Sequence, residues 1–248
     1  MDVTKTDVEL KDMYEGQSSI LVMIVGESGR GKSTSMRNLD PEETYLINCA
    51  SKLPPFPAGS KYRKGKNMAN VKEAQSIRRL MQDISRDVKF KNIIIDDGQN
   101  IMTNEFVQKA LEKGYDKFSL MAKNMYDVLT QASELRGGLK VYFLCHEEET
   151  YTGKRKMKTV GKMLDEKITP EGLSTIVLYA ELINREEKGN LYVFKTQSDG
   201  QTNAKSPMGM FPEVIPNDLK IVSDRIDEYY SDITLNESKI SFELDKGR

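Results

Sequence analysis

The residues best equipped for chemistry stand in one short run, GESGRGKST, from Gly26 to Thr34. Gly26, the four residues Glu27, Ser28, Gly29 and Arg30, and then Gly31, Lys32 and Ser33 fit the spacing G-x-x-x-x-G-K-[ST]. Each part answers a need of a bound phosphate. The glycines let main-chain amides converge and come close where a Cβ would obstruct them. Lys32 offers an ammonium tip for terminal phosphates, the Ser33 hydroxyl is a ligand for Mg²⁺, and Thr34 falls beside the inner phosphate. The overlapping Gly29 and Gly31 pair does not by itself argue for a dinucleotide fold.

Such a loop works only when a strand delivers it and a helix receives it. Residues 20–25, ILVMIV, form an apolar run expected of a strand buried on both faces, and 33–38 begin a short helix. A metal-bound phosphate also calls for a carboxylate at the end of a neighbouring strand. NIIIDD supplies it: Asp96 is the expected metal-side acid, and Asp97 the acid that orients or deprotonates an attacking water. His146, the only histidine, directly follows the strand-like KVYFLC and so falls on the same carboxyl edge, where it could sense the terminal phosphate.

The elements around these residues alternate. Strands are expected at 20–25, 44–49, 92–96, 140–145, 175–183 and 191–196, the last two joined as a hairpin through NREEKGN. Helical spacing of apolar residues covers 71–84, 105–112, 116–136 and 217–230, with Gly137 and Gly138 expected to stop the third. Residues 51–70, with prolines, glycines and five basic residues, read as a long loop. This is an α/β chain with a mainly parallel sheet, a C-terminal β-hairpin and a last helix. The expected division is a polar segment 1–17, one domain over 18–230 and a polar tail 231–248.

Thirty-seven basic and 38 acidic residues leave almost no net charge, so any nucleic-acid contact must come from a local patch. Cys49 and Cys145 each close an apolar run without metal-ligand or redox spacing, and are expected as buried thiols. The polar start lacks a signal peptide's apolar middle, and no apolar run approaches the ~20 residues of a membrane span, so the expected location is cytoplasmic, without membrane contact. Met121 and Met125 fit a helix core, while Met208 and Met210 fall in the loop SPMGMFP.

Taken together, GESGRGKST, IIIDDGQN and a later strand ending in a polar residue follow the order of parts in RecA-like P-loop ATPases, which the chain resembles over roughly residues 18–230. INCASKLPPFP, EKGYDKFS, FLCHEEE, GKMLDEKIT and AKSPMGMFP look more closely like the AAA-type or RecA-like single-strand annealing ATPases of tailed phages. The resemblance implies a three-layer P-loop fold, ATP and Mg²⁺ as cofactors, and hydrolysis in DNA recombination or replication. Single-stranded DNA and a single-strand-binding protein are the implied partners, with a homo-oligomer or filament as the implied assembly. Lys195 and Lys205 are then candidates to reach a neighbouring subunit's phosphates. Two departures stand out: INCASK has no acid where RecA carries its water-activating glutamate, and His146 stands at the sensor position of a glutamine.

Single-stranded DNA needs positive charge along its path and aromatic surface for its bases. Lys61, Tyr62, Arg63, Lys64 and Lys66 form one such loop; Tyr151, Lys154, Arg155, Lys156, Lys158 and Lys162, just after His146, form the preferred one. Two other functions remain open, a P-loop small-molecule or nucleotide kinase and a non-hydrolysing ATP-dependent switch that recruits a partner. GTP-specific switching lacks an N-K-x-D motif, and a transporter ATPase lacks L-S-G-G-Q.

Overall fold

The computed structural model describes residues 18–161, 168–185 and 189–231. Its centre is a sheet in the order β3-β2-β4-β5-β1-β7-β8-β9, built from β1 (Ile20–Gly26), β2 (Thr44–Asn48), β3 (Met68–Ala69), β4 (Asn92–Asp96), β5 (Lys140–Glu149), β7 (Ile176–Arg185), β8 (Gly189–Lys195) and β9 (Val214–Pro216). β6 (Arg155–Met157) folds back on the far end of β5. Pairing is parallel from β3 through β7, while β8 and β9 add antiparallel.

Alternation of side chains divides the core in two. Along β1, Leu21, Met23 and Val25 enter one cluster and Val22 and Ile24 the other; β4 and β5 split the same way. The first cluster is closed by Ile77 and Met81 of α1 (Ala74–Arg86), Ile101 and Met102 of α2 (Asn100–Gln108), and Met121, Met125 and Val128 of α3 (Asp116–Ala132). The second is closed by Met36, just after the phosphate-type loop, and by Leu219, Val222 and Ile226 of the last helix α4, residues 219–231. The result is the expected three-layer α/β arrangement.

Several local expectations are corrected. The short helix expected after β1 stands at Ser33–Asn38, in 3₁₀ form, but other elements shift. The 51–70 stretch is not all loop: it holds a 3₁₀ turn, Pro57–Lys61, and ends in β3. The helix expected at 105–112 instead begins at Asn100, directly after the turn that follows β4. Its successor ends at Ala132, ahead of the two glycines, and Leu135 just beyond accepts the Ser19 amide at 3.0 Å. The expected break at Cys145 also fails, since β5 runs on to Glu149 and carries His146 inside the strand. Both cysteines are buried thiols, and burial pushes their pKa values up. Met210 is buried and Met208 exposed. The junction at 186–188, Lys162 and much of GKMLDEKIT lie outside the described residues.

Register is what builds the functional edge. Gly26 pairs with His146 and Asn48 with Asp96, so β1, β2 and β4 finish near the level of His146, from which β5 alone runs on. Gly98 locks the turn after β4, donating its amide to Leu144 O at 2.8 Å. A Cβ there would lie 2.3 Å from the Phe143 ring. Gly98→Ala is therefore expected to cost about 1–3 kcal/mol by overpacking. Thermal unfolding checks this, and an unchanged midpoint would show that Phe143 yields freely.

Candidate functional site

Gly29 and Gly31 take φ values of 82° and 83°, the left-handed region open to glycine, and so curl the loop between β1 and its 3₁₀ helix. Gly26 is needed for a different reason, close approach: a Cβ there would lie 3.0 Å from Ala180 O on β7. Inside the curl, Lys32 Nζ donates to Gly26 O at 2.7 Å and Glu27 O at 2.8 Å. The lysine is only 7% exposed, and burial lowers its pKa, opposed by nearby acids including Asp97 and Asp96. Arg30 pairs outside the curl with Glu27 at 2.8 Å. Because the receiving helix is six residues of 3₁₀, attraction for an anion rests on loop amides and the ammonium rather than on a long helix dipole.

The deciding contact crosses 63 positions of sequence: Ser33 Oγ donates to Asp96 Oδ1 at 2.8 Å. Hydroxyl and carboxylate thus meet at the loop's mouth. Asp96 is buried, and desolvation first, then the Asp97 charge, raises its pKa to about 6. One hydroxyl and one carboxylate fit Mg²⁺, which keeps waters and takes its remaining ligands from substrate phosphates.

A family profile described as an AAA domain matches residues 18–208. The chain belongs to the AAA-domain family. It is a nucleotide-binding P-loop ATPase domain by that membership. No curated protein matches the chain. Among solved structures, a KaiC-like protein of the hyperthermophilic archaeon Pyrococcus horikoshii is similar at 12% identity and a TM-score of 0.45, over 73% of this chain and 81% of that one.

Asp97 of this AAA domain adopts φ 56°, an uncommon conformation for a residue with a side chain, in the turn between β4 and α2. Its Oδ2 accepts from Lys52 Nζ at 3.0 Å; its Oδ1 lies 3.4 Å from His146 Nε2 and 3.5 Å from Gln99 Nε2. Hydrogen bonding from His146, then from Lys52 and Gln99, holds the Asp97 carboxyl well below the usual range despite burial. A carboxyl held so low accepts a proton poorly, which favours orienting water over deprotonating it. Gln99 Oε1 also accepts the His146 amide at 3.2 Å, so four residues from three elements form one polar unit. Beside it opens a cleft of about 250 Å³ lined by Lys52, Gln99, Asn100, Thr103, His146 and Lys158.

Lys52 and Gln99 were not singled out by spacing. Lys52 stands in the stretch noted for its missing acid, and Gln99 two residues past Asp97. Only the fold of the segment after β2, pinned by Asn48 Nδ2 to Lys52 O at 2.5 Å, brings the lysine across.

The segment expected as a flexible basic loop is largely a hairpin. Glu147, Glu148 and Glu149 pair with Met157, Lys156 and Arg155. Arg155 is spent internally: it binds Glu147 at 2.7 Å and Glu181 at 2.5 Å, and its guanidinium stands 5.5 Å from the centre of the Tyr179 ring. Lys156 lies 3.4 Å from Glu148, whereas Lys154 and Lys158 are exposed. The acidic run thus answers the basic one strand to strand. Lys195 is bound to Asp199 on its own chain at 2.7 Å; Lys205 is half-buried, and burial lowers its pKa. Among the described residues, no helix is long and apolar enough to cross a membrane.

The raised pKa of Asp96 has a sign that can be tested. Its folded value, about 6, exceeds that of an unfolded aspartate, so the stability it contributes is present at low pH and lost as pH rises through 6. Between pH 7 and 5 the metal-free protein should gain about 1 kcal/mol from this group. Asp97 titrates below that window. Asp96→Asn should remove the gain, read as the difference between the two proteins' unfolding midpoints across pH; parallel curves would refute the assignment.

Proposed function

We propose that this AAA domain binds ATP with Mg²⁺ and hydrolyses it in DNA recombination or replication, engaging single-stranded DNA in a phage setting. The Ser33–Asp96 contact at 2.8 Å beside buried Lys32 carries the nucleotide part of this reading. A hydroxyl, an acid and an ammonium converge there on a loop of amides, a donor set suited to a metal-bound triphosphate. When bound, Mg²⁺ neutralises phosphate charge. Lys32 and the loop amides stabilise charge on the transferred group, Asp97 orients water, and His146 senses the outcome through the Asp97–Gln99 unit.

Support for the DNA part comes from the resemblance of FLCHEEE and its companions to tailed-phage ATPases, and from the hairpin that continues β5 beyond His146. Lys158 N donates to His146 O at 2.8 Å, a direct link from the sensor to exposed cations. Lys154 and Lys158 are the preferred DNA contacts, with Lys156 secondary and Arg155 structural. A single-strand-binding protein and further copies of the chain belong to the same reading, with Lys205 the better placed of the two trans-acting candidates.

The experiment is phosphate release from ATP with and without single-stranded DNA. Stimulation supports the proposal; release that responds only to a small-molecule acceptor would favour a kinase. Replacing both Lys154 and Lys158 by Ala should lower the salt slope of DNA binding by roughly 0.7 per lysine. An unchanged slope rejects the hairpin as the contact. A switch without turnover is the second reading, favoured by Lys52 standing where an acid would be expected and by protein donors already engaging both Asp97 oxygens. Nucleotide-dependent partner binding at negligible turnover would select it.

A further inference from the structure

The lip of the phosphate loop away from Asp96 is bordered by an aromatic side chain outside both the Ser33–Asp96 contact and the Asp97 unit. Tyr192 lies on β8, in register with Leu182 of β7, on the same face of the sheet as the 3₁₀ helix that follows the loop. A Cβ built on Gly31 would come within 3.1 Å of Tyr192 Cδ1 and 3.4 Å of the Asn217 amide group. This corner is fastened to the loop: Asn217 Nδ2 donates to Arg30 O at 3.3 Å, the Asn217 amide to Tyr192 O at 3.3 Å, and Arg37 to Asn217 O at 2.8 Å. Tyr192 is nevertheless 43% exposed. Its ring therefore borders the loop and still offers surface to a ligand.

We propose that Tyr192, with Leu182 beside it, is the stacking platform for the nucleobase of the bound nucleotide. This rests on the nucleotide reading of the site. A triphosphate anchored at Lys32 and Ser33 must direct its nucleoside away from the Asp96–Asp97 end. Along the loop's other margin, β8 and the β9–α4 junction provide the wall. A base is planar and largely apolar on its faces, and a rigid half-exposed ring flanked by leucine matches that surface. Stacking on an aromatic side chain tolerates any base. The platform thus contributes affinity for the nucleoside and none for phosphate.

Calorimetry with ATP and with inorganic tripolyphosphate separates the two contributions. Tyr192→Ala should weaken ATP roughly ten- to hundredfold and leave tripolyphosphate unchanged, while Tyr192→Phe retains the wild-type affinity for both. The chain has no tryptophan, so Tyr192→Trp introduces a single reporter whose fluorescence should fall with ATP but not with tripolyphosphate. That variant keeps the test available should the alanine form fold poorly. Equal weakening of both ligands by Tyr192→Ala, or a tryptophan signal blind to ATP, would overturn the platform. If the wild-type protein binds tripolyphosphate and ATP equally, the platform alone fails; if it binds neither, the nucleotide reading falls with it.

Discussion

Lys32→Ala is expected to lower ATP turnover by about 10²–10³-fold, the loss that follows removal of one charge-stabilising donor from a preorganised site. The geometry explains why so much rests on one side chain. The ammonium is buried and held by Gly26 O and Glu27 O at the centre of the loop, so the loop itself fixes its position. Burial lowers its pKa, yet the charges of Asp97 and Asp96 oppose that shift. The substitution also removes the ammonium from Gly26 O and Glu27 O, the latter keeping only the Arg30 amide at 3.4 Å, so loop stability should be followed by unfolding alongside activity. Turnover within threefold of wild type would mean that hydrolysis occurs elsewhere.

Asp97→Asn should reduce turnover by about 10²-fold while ATP affinity stays within a few-fold. The acid does not belong to the loop that grips phosphate; it ties Lys52, His146 and Gln99 into a single unit at the sheet edge. Neutralising it releases the lysine and leaves the histidine without its anionic neighbour, and small displacements at a reacting centre carry costs of that size. Single-turnover rates measured beside binding isotherms make the comparison. A variant losing affinity in proportion to turnover would show that Asp97 serves binding, and one losing neither would remove it from the site.

The phosphate-type loop and the Asp96–Asp97 pair were legible because both are local: a few adjacent residues whose spacing is the chemistry. Strand identity was legible for a related reason. A strand buried on both faces must be apolar at consecutive positions, as in residues 21–25 and 93–95. The basic run at 154–158 was misleading because composition does not reveal pairing. Only the turn back onto β5 sets Lys156 opposite Glu148 and carries Arg155 to Glu147 and Glu181. Lys52 is not legible in this way, since a lysine in a loop looks solvated until the chain beyond β2 bends toward Asp97.

From sequence alone, then, came the α/β class, the loop with its ammonium and hydroxyl, the acid that faces them, and the burial of both thiols. These follow from residue type and short-range periodicity, where neighbours along the chain are neighbours in space. Tertiary structure decided which carboxylate is protonatable near pH 6, which is held ionised by His146 and Lys52, which cations are already spent, and that Tyr192 borders Gly31. Each of these depends on burial and on charges brought together from distant parts of the chain, and both are set by strand register and sheet order.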